Sequence, residues 1–334
     1  MQKAKKNLGL LLSREFQLLI IILLLCIVFG FSSDLFFSMD NVRLLLSTIS
    51  VYGIVVSGMA ILMISGGFDL SVGSVYGAAG MFLGLLLVLN VPVIIAIALT
   101  IILGILIGLF NGALIAKANI SPFIITLGGF FLFRGIAFVI GQISTIKIVG
   151  KANISSISGF PESFNRIAGG TFFGFEYIVF YMIPIVAIFS ILLNENVLLR
   201  QNYNIGGNEL ASRLTGIKVD RIKIFNYTLV STLVAIAAVL RTSRMKAASA
   251  GSGEDMALEL IAAIIIGGGS LNGGKGSVLG SFLGIALIKI IQNGLVLLGM
   301  SGYYEKLYVG SFLLFAVLID RYLKKAHVSD SLKI

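Results

Sequence analysis

The chain has 334 residues, of which 57% are hydrophobic and only 12% charged, with a formal net charge of +10. Soluble domains carry roughly a quarter charged residues, so this composition excludes an ordinary water-soluble globule. Cys26 is the single cysteine and His327, in the polar tail, the single histidine, which rules out an intrachain disulfide and gives no support to a zinc or iron centre.

Apolar windows of about 20 residues recur along almost the whole length, each long enough to cross a bilayer as a helix. The short alternating segments of a β-barrel are missing. The expected fold class is therefore all-α: a polytopic membrane protein of about ten transmembrane helices, some of them broken or halved at glycines. Residues 1–334 form a single transmembrane domain with no soluble domain. The spans fall at 16–32, 42–65, 73–90, 92–116, 120–141, 174–193, 223–241, 257–269, 277–298 and 304–320. The first span, with its basic start, resembles a signal peptide. No small-x-small cleavage site follows, so it reads as an uncleaved helix, with Cys26 as a small buried or lipid-facing residue. The segment 257–269 is short for about 30 Å of hydrocarbon and reads as a half-helix that stops inside the protein.

The positive charge is placed as topology requires, not as nucleic-acid binding would place it. Lys3, Lys5, Lys6 and Arg14 precede the first span; Arg200, Arg213, Lys218, Arg221 and Lys223 crowd one loop; Arg321, Lys324 and Lys325 follow the last span. Under the positive-inside rule the N-terminus, Lys117, loop 194–222 and the C-terminal tail are cytoplasmic, and 142–173 is outside.

Two glycine-rich segments echo one another: "GGFDLSVGSVYG" at 66–77 and "GGSLNGGKGSVLG" at 268–280. Asn111-Gly112 and Asn293-Gly294 form a further echo, as do "LGGFFLF" at 127–133 and "VGSFLLF" at 309–315. Repeated Gly-rich interruptions point to a transport pathway. Gly66, Gly67, Gly73, Gly268, Gly269, Gly273 and Gly274 are the expected helix breaks. Within the second segment, Gly269 to Lys275 nearly spells a phosphate-binding loop. That motif needs a preceding strand and a hydroxyl after the lysine to hold Mg²⁺. Here Gly276 follows Lys275 and membrane spans flank the segment, so the glycines read as a break or a close helix contact. No cofactor is expected on this chain; ATP and Mg²⁺ would belong to a partner subunit.

Charges in lipid are expensive and face the protein interior. Asp69 and Ser71 sit at the break between two spans, Arg134 lies within an apolar span, and Lys289 precedes Gln292 and Asn293. Asp69 and Arg134, opposite in charge, are candidates to pair. With Ser71, Asn111, Gln292 and Asn293 they are candidates either to line a path for a polar solute or to cap and lock broken helices. The basic loop contains a short helix signal: Asn208 as N-cap, Glu209 and Arg213 four apart beside Leu210 and Leu214, and Gly216 as terminator. It suits a helix on lipid headgroups or a docking knob for a cytosolic partner.

Taken in order, "SGGFDLSVGS" (65–74), "NGALIAK" (111–117), "ISPFIITLGG" (120–129), "FRGIA" (133–137), "IGGNELASRLTGIKV" (205–219), "TSRM" (242–245), "IAAIIIGGGSLNGGKGSVLG" (261–280), "NGLVLLGMSGYY" (293–304) and "AVLID" (316–320) resemble the permease subunit of bacterial ATP-binding-cassette importers of the ribose and simple-sugar class. "FDLSVGS" favours this sugar branch over the related branched-chain amino-acid permeases. Ala257, Glu259, the proline-free loop 246–252 and Glu305 depart from the family pattern, near where a binding protein is expected to dock.

The resemblance implies a non-catalytic subunit in the bacterial cytoplasmic (inner) membrane, paired with a second permease subunit. It implies a cytosolic ATPase docked on Gly207, Asn208, Glu209, Arg213, Leu214 and Gly216, and an extracytoplasmic sugar-binding protein delivering a monosaccharide or a similar polyol or furanosyl solute. The competing class, an ion-coupled secondary transporter, would need intramembrane ion ligands, which are thin here. A membrane enzyme would need clustered acids or histidines.

Overall fold

The computed structural model describes residues 14–144 and 155–300, with isolated positions 304, 307, 310 and 311. Apart from those positions, the expected span 304–320 lies outside this description, as do Lys3, Lys5, Lys6, Glu305, Arg321, Lys324, Lys325 and His327.

Helices dominate because a lipid-exposed backbone has no other way to satisfy its own hydrogen bonds. In chain order they are α1 (Arg14–Ser32), α2 (Met39–Ile64), α3 (Val72–Val88), α4 (Val93–Lys117), α5 (Pro122–Ser144), α6 (Glu162–Gly169), α7 (Tyr177–Glu195), α8 (Val197–Gly207), α9 (Glu209–Leu214), α10 (Val219–Met245), α11 (Met256–Ile266) and α12 (Val278–Leu297). Among the described residues seven of these, α1, α2, α4, α5, α7, α10 and α12, are long and apolar enough to cross a membrane. Of the expected ten spans, nine correspond to these seven full spans and two shorter apolar helices, α3 and α11, among the described residues. The boundaries follow the apolar runs closely, because each run ends where polar or turn residues begin.

Two small antiparallel pairs lie outside the helices. β1 (Ser156–Ser158) pairs with β4 (Ala247–Ser249), Ile157 opposite Ala248. β2 (Thr171–Phe172) pairs with β3 (Phe175–Glu176).

The centre of the bundle is α2, buried almost continuously from Ile49 to Ile64, packed against α10 and α12. α4 meets α10 through a glycine stripe. A Cβ on Gly108 would stand 2.5 Å from the Thr228 Cα, and one on Gly112 would stand 2.9 Å from the Ile224 Cα. Small residues at this spacing let the two backbones touch. The outer helices carry the opposite pattern. Leu23, Leu24 and Phe31 on α1, Ile94 and Leu106 on α4, Phe131 and Leu132 on α5, and Ile183 and Ile191 on α7 are all exposed. A continuous apolar belt of this kind is matched to lipid. Cys26 is half-buried, packed with the Phe29 and Phe36 cluster.

The bundle has two ends. At one, Arg14 Nε donates to the Ile266 carbonyl at 3.1 Å and Ser277 Oγ to Glu15 at 2.8 Å, and the basic residues of 200–223 gather there. This is the basic face. At the other end β1, β4, α6 and the 33–41 turn come together; Asn41 and Asn293 exchange side-chain amide bonds of 3.0 and 2.7 Å. The expected separation of 142–173 from 194–222 holds for their described residues.

Two elements stop at mid-depth. α11 has 11 residues, about 16 Å of rise, half a hydrocarbon core. It runs from the interior to the basic face, as expected for a half-helix. α3 starts in the interior and runs to the opposite end. The two N-termini meet where Gly73 touches Gly253.

Candidate functional site

The basic face carries the loop singled out from sequence. Asn208 caps α9 by accepting from the Ala211 N–H at 2.9 Å. Glu209 is more than half of an i,i+4 pair. It accepts from Arg213 at 2.9 Å and from Lys223 of α10 at 2.6 Å, while Arg213 also reaches Asp220 at 2.5 Å. Burial pushes the Glu209 carboxyl up, but the bonds from Lys223 and Arg213 outweigh it and hold the group below its ordinary value. The charges thus fix α9 to its own scaffold. What α9 presents outward is apolar: Leu210 is 69% and Leu214 82% exposed.

Directly beneath, α8 is seated on the glycine-rich turns. A Cβ on Gly206 would stand 2.0 Å from the Ile64 carbonyl oxygen and 2.3 Å from the Gly274 nitrogen, so only glycine fits. Gly274 donates to the Ile64 carbonyl at 2.8 Å, and Tyr203 Oη donates to the Gly276 carbonyl at 2.9 Å. Behind this junction Asn226 Nδ2 donates to Asn202 Oδ1 at 2.8 Å and to Ser65 Oγ at 3.1 Å, all three buried. α8, the break after α2 and the break before α12 meet in one contact. α11, not a strand, precedes the 267–277 turn, so the resemblance to a phosphate-binding loop is confined to spelling.

The interior polar residues separate into two sets. Asp69 is fully buried, and its Oδ1 accepts from the Ser71 N–H at 2.7 Å and the Ser71 hydroxyl at 2.6 Å. Asn111 Nδ2 reaches the same hydroxyl at 3.3 Å. A carboxylate at the opening of α3 satisfies a free N–H and complements the helix dipole. Arg134 does something else: its Nη1 donates to the carbonyls of Ala250 and Ser252, the latter at 2.9 Å, clamping the 250–253 loop against α3. Asp69 and Arg134 form no ion pair, because each is claimed by a backbone segment on its own side of α3. Gly73 is also corrected. It lies inside α3 rather than at a break, and serves the close approach of Gly253, whose carbonyl oxygen would stand 1.9 Å from a Cβ there.

Gln292 and Asn293 belong to a cavity of about 410 Å³ in the half of the bundle away from the basic face. Its walls come from α2, α3, α10, α11 and α12, and include Tyr52, Tyr76, Arg241, Arg244, Lys289 and Gln292. Lys289 donates to Glu259 at 2.7 Å and stands 3.7 Å over the Tyr52 ring; Gln292 donates to the other Glu259 oxygen at 2.7 Å. Arg244 is held by Glu176, which also accepts from Ser47. Glu259 is 1% exposed, buried inside the bundle rather than on its surface. Sequence reasoning noted Lys289 without a partner and missed Glu259, Tyr76, Arg241, Arg244 and Gly206 as site residues. One signal was available: opposite charges isolated in two apolar helices tend to find each other.

A family model described as "Branched-chain amino acid transport system / permease component" matches residues 41–319. Among curated proteins, the ribose import permease protein RbsC of Bacillus subtilis (strain 168) is 36% identical over 298 residues, 89% of this chain and 90% of that protein. The Escherichia coli (strain K12) protein of the same name is 33% identical over 92% of this chain and 93% of its own length. The autoinducer 2 import system permease protein LsrD of Photorhabdus temperata is 30% identical over 93% and 92%. No solved structure matches the chain.

Proposed function

Since the chain belongs to the bacterial importer permease family that its match over residues 41–319 defines, and is a multi-pass permease subunit of a sugar importer of the ATP-binding-cassette class, we propose that it carries a monosaccharide or related furanosyl or polyol solute from a binding protein to the cytoplasm. The observation that carries this reading is the seating of α8, which leads directly into α9, on the two glycine-rich turns. An apolar knob on the basic face, Leu210 and Leu214, is joined through Gly206 to both breaks of the membrane bundle.

In this reading the basic face is cytoplasmic by the positive-inside rule and the chain sits in the bacterial inner membrane. A cytosolic ATPase docks on Gly207 to Gly216, holding ATP and Mg²⁺ that this chain does not bind. A binding protein docks at the opposite end, above the cavity. A second permease subunit, identical or paired, completes the pathway. Movement of α9 is passed to α2 and α12 because the Gly206 contact leaves no slack. Asp69, Ser71, Asn111 and Arg134 act as caps and clamps that keep the broken segments rigid while the helices shift. The ion-coupled alternative has no support from the relatives.

The test is reconstitution. The chain should co-purify with its ATPase and show ATP-dependent, binding-protein-dependent sugar uptake in proteoliposomes. Uptake driven by an ion gradient without ATP would overturn the reading.

A further inference from the structure

The cavity walled by α2, α3, α10, α11 and α12 has features that the family assignment does not account for. Its volume, about 410 Å³, is in the range of small-molecule sites. Among the described residues its lining includes Arg241, Arg244 and Lys289 but no carboxylate. Glu176 and Glu259, which hold Arg244 and Lys289, are not among the lining residues, so the cavity meets the cationic half of each pair. Tyr76, also in the lining, is 3% exposed, and its hydroxyl has no hydrogen-bond partner among the described residues. A buried hydroxyl left unpaired is a deficit that a ligand oxygen would relieve. The floor lies at Gly253 and Met256, where the half-helix α11 begins, so backbone N–H groups and the positive end of its dipole are close by. Val51, Met256 and Val296 supply apolar wall for the C–H face of a ring.

Building on the function proposed above, we propose that this cavity is a solute station selective for electron-rich oxygens, in which Arg241 and the Tyr76 hydroxyl bind a neutral or anionic polyhydroxylated solute and cationic solutes are disfavoured. Donors dominate the polar wall: guanidinium, ammonium, the Gln292 amide and the tyrosine hydroxyl all offer hydrogens to hydroxyl or carboxylate oxygens. An ammonium-bearing solute would bring like charge against Arg241 and Lys289 and find no acid among the described lining residues. Selection at this point is separate from that exercised by a binding protein, since it depends only on this chain.

Cys26 is the only cysteine, which makes the station directly testable. In a Cys26→Ala background, Thr48→Cys places one thiol in the lining. Right-side-out vesicles carrying the assembled importer are labelled with anionic sulfonatoethyl methanethiosulfonate or with its cationic trimethylammonium counterpart. The anionic reagent should react several-fold faster relative to the two rates on a free thiol. Arg241→Gln should bring the ratio towards that of the free thiol, and Arg241→Lys should keep it. Ribose, xylitol or ribonate should slow labelling, and Tyr76→Phe should weaken that protection while leaving the charge preference intact. Charge-blind or cation-preferring labelling, an unreactive thiol, or protection by none of the three solutes would overturn the proposal, as would undiminished protection in Tyr76→Phe. ATP-driven uptake in the same vesicles separates the two readings. Uptake with charge-blind labelling removes the station and keeps the importer; charge-selective labelling without ATP-driven uptake does the reverse.

Discussion

Gly274 donates its backbone N–H to the carbonyl of Ile64 at 2.8 Å, joining two segments 210 positions apart at the basic face. Gly206 fills the space beside that bond with nothing to spare. α8, which carries the 208–216 loop, therefore shares one backbone contact with both helix breaks. Displacing one of the three must displace the others or break the contact.

Gly206→Ala should lower stability by about 1–3 kcal/mol, since the neighbours are backbone atoms that cannot rotate away. Uptake should fall with it. Gly207→Ala is the control: a Cβ there meets nothing within 4 Å, and the change should stay within about 0.5 kcal/mol. Thermal unfolding in detergent compares the two, and equal effects would refute the junction.

Leu210→Asp with Leu214→Asp should abolish co-purification with the ATPase and leave membrane insertion and folded yield unchanged, because both side chains are exposed in this chain. Glu209→Arg is the wrong probe. It would collide with Lys223 and Arg213 and disorder the loop from within.

Because the Glu209 carboxyl is held below its ordinary value in the folded chain, its contribution to loop order is present above the unfolded pKa. That contribution is lost as pH falls through the depressed folded one. Hydrogen-exchange protection across 208–216, taken relative to the intrinsic exchange rate at each pH, should therefore fall as pH drops below about 4, the ordinary range of a glutamate. Glu209→Gln should flatten that dependence.

Glu259→Ala strands Lys289 in the bundle and should cost about 3–5 kcal/mol, the usual penalty for breaking a buried pair. Glu259→Leu combined with Lys289→Met should recover most of that stability without restoring uptake, because Lys289 also lines the cavity. A double variant no more stable than the single would show that the pair contributes little.

Asp69→Asn should keep most of the folded yield, since an amide oxygen can still accept from Ser71, whereas Asp69→Ala should lose it. Exchanging the charges, Asp69→Arg with Arg134→Asp, should rescue nothing. Recovery of uptake in the exchange would mean that the two residues pair in some other state of the transport cycle.

The span boundaries and the short helix α9 were legible in the sequence because their causes are local. An apolar run in lipid must close its hydrogen bonds within itself, and Asn208, Glu209 and Arg213 interact across a single turn. The half-length of α11 was readable for the same reason. Which buried charges meet was not local. Asp69 and Arg134 looked complementary, yet Ser71 takes one Asp69 oxygen and the Ala250 and Ser252 carbonyls take one Arg134 nitrogen, while Glu259 and Lys289 find each other from different helices. Nor could glycine identity distinguish a break from a close approach. Gly66 has a positive φ and turns the chain, whereas Gly73 is helical and makes room for Gly253. Such pairings depend on how the helices pack against one another, and only the assembled bundle decides which polar groups come within reach.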